Sequence, residues 1–523
     1  MKARICIPTA GTGSRLGSIK KGLNKSLINV GGKPAISHII EKFDPKSEFI
    51  IPVGYGAKEV KEYLTLAYPQ HKFKFIEIDK YQGAGSGLGY TLFKAKNYLQ
   101  CPFYFISCDT LFKESIPKLN CNWVGYSKKN ETKDYRTIKI VKNKVEFIHK
   151  KNISKATNNA YIGLAFIYDY QLFWENYKLE RKIIEEGEVS GLNNLIERDL
   201  IAIKFNWNDT GNPKELERTR KALVSNLSLN ILDKENEDIW FINKKVIKYS
   251  KDSNFIINRV KRAEYIKEFI PKIINSSSNM FSYEMAQGKV ISSIITKKLF
   301  LNLLEFSKSF WKTKSLEIAE EKEFKNICLN FYKEKTYTRM NQFFKKYPNL
   351  EGVKYINNEK IMPIYEIIEN LNWDYLCQGK IGQFHGDFHF ENILFNEKEN
   401  RFIFLDWRQD FGGNIKFGDI YYDLAKLMHG LIIDHEIILE NKFNIEINSD
   451  KLFFNFYRKF SHVECEKEFA KWLESNNYEI EKVYLLTSLI YLNIASLHHY
   501  PYDHLLFGLG YYMLWNLNKK YFV

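Results

Sequence analysis

The sequence predicts an α/β protein of two domains, a doubly wound sheet over residues 1–225 and a two-lobed α+β domain over 226–523. Three observations point there. A chain of 523 residues exceeds what one hydrophobic core serves. In the first half, short apolar runs alternate with helical patterns, as in a parallel sheet with helices on both faces. Near residue 225 the pattern changes to a strand-rich stretch, a small lobe at about 226–290, and then to long helical stretches, a large lobe at about 291–523.

Composition narrows the class. Hydrophobic residues make up 45% and aromatics 15%, enough to fill cores and to argue against disorder. The net charge of +15 fits a nucleic-acid binder or an enzyme of polyanionic nucleotides, and equally the Lys, Ile, Asn and Phe usage of an AT-rich genome. The lysines are scattered, with no zinc-finger spacing and no RNA-recognition signature, so no nucleic-acid partner is expected. Seven cysteines without a CxxC read as buried thiols in a reducing compartment. The start MKARICIPTAG is no signal peptide, and no run of 18 apolar residues occurs, so the expectation is a cytoplasmic protein without membrane insertion. Nothing in the composition sets the oligomeric state.

Taken in order, ARICIP reads as a buried strand followed by the glycine-rich AGTGSRLG and a helix-bearing segment, NKSLINVGGKPAISHIIEKF. Strand, glycine loop and helix together suit phosphate binding, with Gly11 and Gly13 opening the backbone and Arg15 and Lys25 supplying charge. The GK[ST] ending of a Walker A loop is missing, and the glycines at 11, 13 and 17 do not make a good GxGxxG. EFIIPVGYG (48–56), FKFIEID (73–79) and CPFYFISCDTLF (101–112) are further strands, with AKEVKEYLTLAY and GLGYTLFKAKNYL as helices between them. Asp109, at a strand end, is a natural Mg2+ ligand, or else a turn cap.

These segments resemble the sugar-1-phosphate nucleotidyltransferase family. AGTGSRLG with NKSL is similar to its GxGxR and P-K-x-L signature, with Asn24 where the family has Pro. QGAGSGLGYTL (82–92) resembles its base- and sugar-binding turn, SCDT its metal-carrying strand end, NAYIGLAFI (159–167) its sugar-side segment, and NWNDTGNPKELERTRKAL (206–223) its closing W-x-D-x-G motif. The resemblance implies a Rossmann-like domain in which a phosphate oxygen attacks the α-phosphorus of an NTP (CTP, UTP or GTP). Ala10, Gly11, Gly13, Gly83, Gly85 and Ser86 would bind the nucleotide, Arg15 and Lys25 would stabilise charge, and Asp109 and Asp209 would hold Mg2+.

In the second half, LSLNILDKENEDIWFINKKVIKYSKD reads as a hairpin turning at the polar DKENED, RVKRAEYIKEFIPKI as a helix, and NMFSYEMAQGKVIS as a strand and linker. Helical stretches come next at 295–345, 361–377, 420–431, 452–475 and 480–497, and the aromatic C-terminus reads as core helices. In QFHGDFHFENILFNEKENRFIFLDWRQDFGG, His385 and His389 could bind zinc if helical, but Gly386 and the phenylalanines favour a loop and no HExxH occurs. The rival is phosphoryl transfer. Asp387 and Asn392 stand five apart, the spacing of H-R-D-x-x-x-x-N, and Asp406 comes later at a strand end.

This stretch, with GDIYYDLAKL (418–427), closely resembles the aminoglycoside phosphotransferase and choline kinase superfamily: H-G-D-x-H-x-x-N-I-L, then L-D-W, then G-D-x-x-x-D-L-A. The resemblance implies a protein-kinase-like fold and phosphorylation of an alcohol or sugar by ATP. Asp387 would accept the hydroxyl proton, Asn392 and Asp406 would hold Mg2+, and Asp423, His385 and His389 would support the loop. Lys248 would reach the phosphates with Glu264 as ion-pair partner, Lys244 and Lys245 being its rivals. Glu284 and Met285, in YEMAQG, would form the adenine hinge.

The pairing implies successive steps: a phosphate ester is made, then activated with a nucleotide, as a precursor of surface polysaccharide such as capsule or lipopolysaccharide. The partners implied are small-molecule substrates. A choline or amino-alcohol kinase joined to a phosphocholine-type cytidylyltransferase is the alternative. A regulatory or nucleic-acid-binding protein with inactive sites is the alternative of another class.

Overall fold

The computed structural model describes residues 3–17, 22–151, 157–223, 236–315 and 317–519. The chain forms two compact units, Met1–Ile256 with Ile274–Met285, and Ile257–Ile273 with Ala286–Val523. Part of the second predicted domain therefore packs with the first. The predicted boundary at 225/226 itself lies outside the described residues.

The first unit holds strands β1 (Arg4–Cys6), β2 (Glu48–Val53), β3 (Lys72–Glu77), β4 (Phe103–Ile106), β5 (Thr110–Phe112), β6 (Trp123–Lys128), β7 (Thr137–Val141), β8 (Lys144–His149), β9 (Asn159–Ile167), β10 (Ile201–Lys204) and β11 (Trp207–Asp209). Nine of them form one sheet in the order β3-β2-β1-β4-β9-β6-β10-β8-β7. β1 runs parallel to β2 and β4, and β2 to β3; β9 runs antiparallel to β4 and β6. Both faces are covered. Ile5, Ile7, Phe49 and Ile51 enter one core, while Cys6, Ile50, Phe103 and Phe105 enter another. That is why these strands read as continuous apolar runs, as buried parallel strands do.

The helix expected in NKSLINVGGKPAISHIIEKF is Ala35–Ile40. Ser14–Leu16 and Lys25–Leu27 are single 3-10 turns, and the first α-helix begins at Ala35. Glycines at 11, 13 and 17 leave no run of residues able to close successive i to i−4 bonds.

The same unit carries a second sheet. Strands β12 (Glu237–Ile242), β13 (Lys245–Ser250), β14 (Ile273–Ser276) and β15 (Met280–Glu284) run in the order β12-β13-β15-β14. The described hairpin turns at Asn243–Lys244, both at positive φ, while the turn expected at DKENED lies in part outside the described residues. Asn accepts the left-handed conformation that a two-residue turn demands, while Glu237 and Asp238 belong to the strand. Residues 233–235 lie outside the described residues. Trp240, Ile242, Ile247, Tyr249 and Met280 share the core of Ile5 and Phe49, and Trp240 meets Tyr63 edge-on at 5.0 Å. Glu62 accepts from the hydroxyls of Ser277 and Ser278 at 2.9 and 2.7 Å.

The second unit is mainly helical. Helices αA (Lys297–Phe310), αB (Ile318–Leu329), αC (Lys335–Lys346), αD (Ile420–Ile432), αE (Phe460–Ser475), αF (Ile480–Ala495) and αG (Tyr502–Asn518) enclose its core. One expectation fails: residues 452–459 are not helical. Phe443–Asn448 and Lys451–Phe456 pair antiparallel around Ser449, at φ 59°. FNIEIN alternates apolar and polar residues, which fits a strand and not a helix face. The cysteines are all free, and five of the seven are buried. Among the described residues no helix is long and apolar enough to cross a membrane.

Candidate active sites

The first site is built by the two-stranded ribbon β5–β11, which sets Thr110 opposite Asp209 and so brings Asp109 beside Asp209. Thr210 tightens the junction, its N–H and hydroxyl both donating to the Asp109 carbonyl at 3.1 and 3.2 Å. Lys25 Nζ donates to Asp109 Oδ2 at 2.9 Å, and Arg15 Nη2 stands 4.0 Å from the same oxygen. Tyr135 Oη donates to Asp209 Oδ2 at 2.9 Å, and the Gly211 N–H to Oδ1 at 2.8 Å. Sequence separations of 84 and 74 residues thus collapse into one cluster.

The two carboxylates are shifted in opposite directions. Burial alone would raise Asp109, but Lys25, with help from Arg15, holds its carboxyl below the usual range. Burial and then the neighbouring Asp109 push Asp209 up. The residues fit a divalent cation. A Cβ on Gly211 would lie 3.0 Å from Asp209 Oδ1 and 3.3 Å from Asp109 Oδ2, so glycine keeps open a cradle faced by two acidic oxygens.

Asn24 works as a strut. Its amide donates to the carbonyls of Thr9 and Tyr55 at 2.8 and 2.6 Å, and its Oδ1 accepts from the Ser26 N–H at 2.9 Å. Ala10 is buried and its carbonyl accepts from the Tyr55 N–H. Gly11 is exposed with open space where a Cβ would be; Gly13 is at φ +68°, against Lys25. In the second glycine segment, Gly83 and Gly85 also face open space at φ +79° and +81°, and Ser86 N–H donates to the Gly83 carbonyl at 3.2 Å. Gly87 and Gly89 serve packing: a Cβ would come within 2.6 Å of the Ile184 carbonyl and 2.0 Å of that of Ile183.

The second unit gathers the HGD loop. His385 and His389 lie in a loop, not on one helix face, and among the described residues no cluster of three His, Cys, Asp or Glu suited to a metal occurs. Asp423, fully buried on αD, accepts from the backbone N–H of His385 at 2.6 Å and of Gly386 at 2.7 Å, and from Trp311 Nε1 at 3.1 Å. Burial raises its pKa to about 6 despite these donors. His385 Nδ1 accepts from the Asp387 N–H, so Nε2 carries the proton that Leu405 O receives at 2.8 Å. Burial lowers His385 to about 3, leaving it neutral.

Asn392 Nδ2 donates to the Asp387 carbonyl at 2.9 Å and to its Oδ2 at 3.1 Å. His389 Nε2 lies 3.4 Å from Asp387 Oδ2, and Lys426 Nζ lies 2.9 Å from Oδ1. Burial opposes charge here, but Lys426 and His389 hold Asp387 ionised, and Asp387 in turn raises His389 to about 9. Asp406, at φ 57°, pairs with Arg259 Nη1 at 2.6 Å.

Three cations here escaped the sequence reading: Arg259, Arg262 and Lys426. Arg262 is fully buried; it donates to the carbonyls of Phe384, His385 and Arg408 and stacks 3.6 Å over the Phe384 ring. Glu264, expected to pair with Lys248, is exposed on the helix whose buried charges are Arg259 and Arg262. The period-3.6 position of Arg262 was a readable signal: it falls beside Ala263 and four residues before Ile266, both buried. Lys248 sits mid-strand on β13, in register with Ile239 and Phe281, whereas Lys244 is in the turn and Lys245 at the strand start. Glu284 ends β15 and is exposed; the Met285 N–H donates to the Lys244 carbonyl.

No family model matches the sequence. Over 233 residues the chain is 30% identical to the bifunctional protein GlmU of Methanococcus vannielii, covering 42% of this chain and 54% of that protein. Over 242 residues it is 27% identical to the bifunctional protein GlmU of Methanocaldococcus jannaschii, covering 44% and 56%. The chain spans about half the length of the curated relatives it matches. Two solved structures are also similar: a UDP-glucose pyrophosphorylase (18% identity, TM-score 0.36, 42% of this chain and 98% of that one) and the CTP:phosphocholine cytidylyltransferase of Streptococcus pneumoniae (19%, 0.35, 43% and 100%). These likenesses lie in the first half of the chain, which resembles nucleotidyltransferases of the GlmU type.

Proposed function

We propose that the chain is a two-site transferase: the second half phosphorylates a small alcohol or sugar with ATP, and the first half transfers a nucleotidyl group from an NTP to the resulting phosphate. The observation that carries this reading is the pairing of Asp109 with Asp209 beside Lys25 and Arg15. The similarity of the first half to GlmU-type proteins supports it, as does the Asp387–Asn392–Asp423 geometry of the HGD loop.

In the second site, Asp387, kept ionised by Lys426 and His389, accepts the proton of the alcohol. The alcohol oxygen forms its bond to the γ-phosphorus, and the bond to the β-phosphate oxygen breaks, releasing ADP. Asp423 fixes the direction of the loop by holding two of its N–H groups. In the first site, an oxygen of the phosphate ester attacks the α-phosphorus, and pyrophosphate leaves. Lys25 and Arg15 supply fixed positive charge where negative charge develops. Mg2+ held by Asp109 and Asp209, and by Asn392 and Asp406 in the second site, would draw charge from the phosphate oxygens.

The use inferred for the product is a nucleotide-activated precursor of surface polysaccharide, made in the cytoplasm. The test is incubation of the whole protein with ATP, each of CTP, UTP and GTP, and a panel of alcohols and sugars, read by product mass. A nucleotide diphosphate derivative of one alcohol is the expected product. Failure of every NTP to release pyrophosphate with any phosphate ester would refute the first site.

A further inference from the structure

Each unit carries a cluster of cations, one lining a cavity in the first unit and one surrounding Tyr422 and reaching Asp387 in the second. In the first unit a cavity of about 520 Å³ is lined by Arg136, Lys150, Lys151, Arg181 and Lys182 with only two carboxylates. Both carboxylates are engaged: Glu185 with Arg181 at 2.9 Å, and Glu186 with Lys150 at 3.7 Å. The cavity lies within electrostatic reach of the metal-fitting pair, because the charges of Arg15 and Asp109 both act on its Lys151. Lys151 reports the same crowding: withdrawal from water and the cations Arg15 and Arg136 push its ammonium down.

In the second unit the ammonium of Lys426 touches Asp387 at 2.9 Å. One helical turn earlier on αD, Tyr422 packs against Phe331 with ring centroids 5.0 Å apart. Lys335 Nζ stands 4.2 Å over Phe331 and 5.4 Å over Tyr422, and the Arg408 guanidinium stands 4.9 Å over Phe331. Three cations surround Tyr422 closely enough to draw its phenol down against the effect of burial. A quaternary ammonium would need these ring faces, and the protein's own cations already cover them. It would also meet their repulsion, which is strong where water is scarce.

We propose that the alcohol taken by the second site, and therefore the phosphate ester taken by the first, carries an additional anionic group, a carboxylate or a phosphate, bound by Lys335, Arg408 and Lys426 in one unit and by Arg136, Lys151 and Lys182 in the other. The proposal rests on the two-step reading above, and it excludes choline as the alcohol. Two separately built cation clusters carry it, each within electrostatic reach of the carboxylates that would do the chemistry.

The test uses the whole protein and matched probes: glycerol, glycerate, glycerol phosphate and choline with ATP, read as ADP formed and product mass. Phosphoglycerate, glycerol phosphate and phosphocholine with each NTP are read as pyrophosphate released. The anionic probes should exceed glycerol and choline by about 10- to 100-fold in kcat/KM, the worth of a charged hydrogen bond. Glycerate against glycerol phosphate decides between carboxylate and phosphate. Lys335→Gln should shrink the preference in ADP formation, and Lys182→Gln that in pyrophosphate release, each by about tenfold through KM with kcat kept. Turnover of choline or glycerol equal to that of the anionic probes would overturn the proposal. ADP from none of the alcohols, with pyrophosphate release intact, would overturn the two-step reading and the second-site claim. Preference among the phosphate esters would still judge the first cavity.

Discussion

The two sites treat their acids in opposite ways. In the first unit two carboxylates face each other, so that Lys25 satisfies Asp109 while Asp209 is left strained upward in pKa. In the second unit the central acid, Asp387, is neutralised by the protein itself through Lys426 and His389. The first arrangement calls for a cation from outside; the second is complete without one at the proton acceptor. Both sites should therefore respond to divalent-ion supply, and the second also to the integrity of the ion cluster around Asp387.

Variants can separate the two. The largest effects fall on the central acids. Asp387→Ala should cut ADP formation by roughly 10²–10⁴-fold and leave pyrophosphate release from a supplied phosphate ester intact. Asp109→Ala should do the reverse, with a loss of about 10²–10³-fold. Equal loss of both activities in either variant would erase the distinction.

Next in size is Arg262→Met. It strips three carbonyls of their donor in a fully buried place and should cost about 3–5 kcal/mol. Denaturant unfolding reports it, and an unchanged midpoint would count against the buried brace.

Asp423→Asn comes third. The carboxylate accepts an N–H on each oxygen, and an amide can match only one. ADP formation should fall about 10–100-fold with little change in pyrophosphate release. The pH dependence has a definite sign. Folding raises Asp423 from 3.8 to about 6, so the folded state binds its proton more tightly. Stability attached to this group is therefore highest at low pH and declines as pH rises from about 4 to about 6. The Asn variant should lose that slope.

A fourth outcome concerns His389. Its raised pKa, about 9 against 6.5, means that its ion pair stabilises the loop fully below pH 6.5 and is lost as pH rises through 9. His389→Gln should remove an alkaline limb near pH 9 from the ADP-forming activity. The smallest effect is expected for Asn24→Pro, which deletes the strut to Thr9 and Tyr55. A loss of about 1–3 kcal/mol in stability should appear, and a gain would show the strut to be dispensable.

Legibility in the sequence was local. The strand-end Asp109, the W-x-D of Asp209, and the spacing of Asp387 from Asn392 are written within short windows, and the structure gathers each pair. Asp423 was readable too, from GDIYYDLAKL. The residues that escaped are held by long-range contact: Arg259 to Asp406 across 147 positions, and Arg262 to His385 across 123. The helical period hints that Arg262 is buried, but no local pattern names the partners of either arginine. Lys426 was hidden for a related reason, since its partner lies in a loop and not on αD. The missed hairpin at 443–456 had its turn at Asn-Ser-Asp, without the Gly that would have announced it.

The sheet of residues 237–284 completes the core begun at Ile5 and Phe49. As the chain leaves the ribosome, the first 225 residues therefore wait for about sixty more before Trp240 and Met280 can close over Tyr63 and its neighbours. A gene trimmed at residue 225 would yield a product with that apolar surface in water, prone to self-association. No single cut parts the two chemistries cleanly: one beyond Met285 would leave Arg259 and Arg262, which hold Asp406 and the HGD loop, on the first piece.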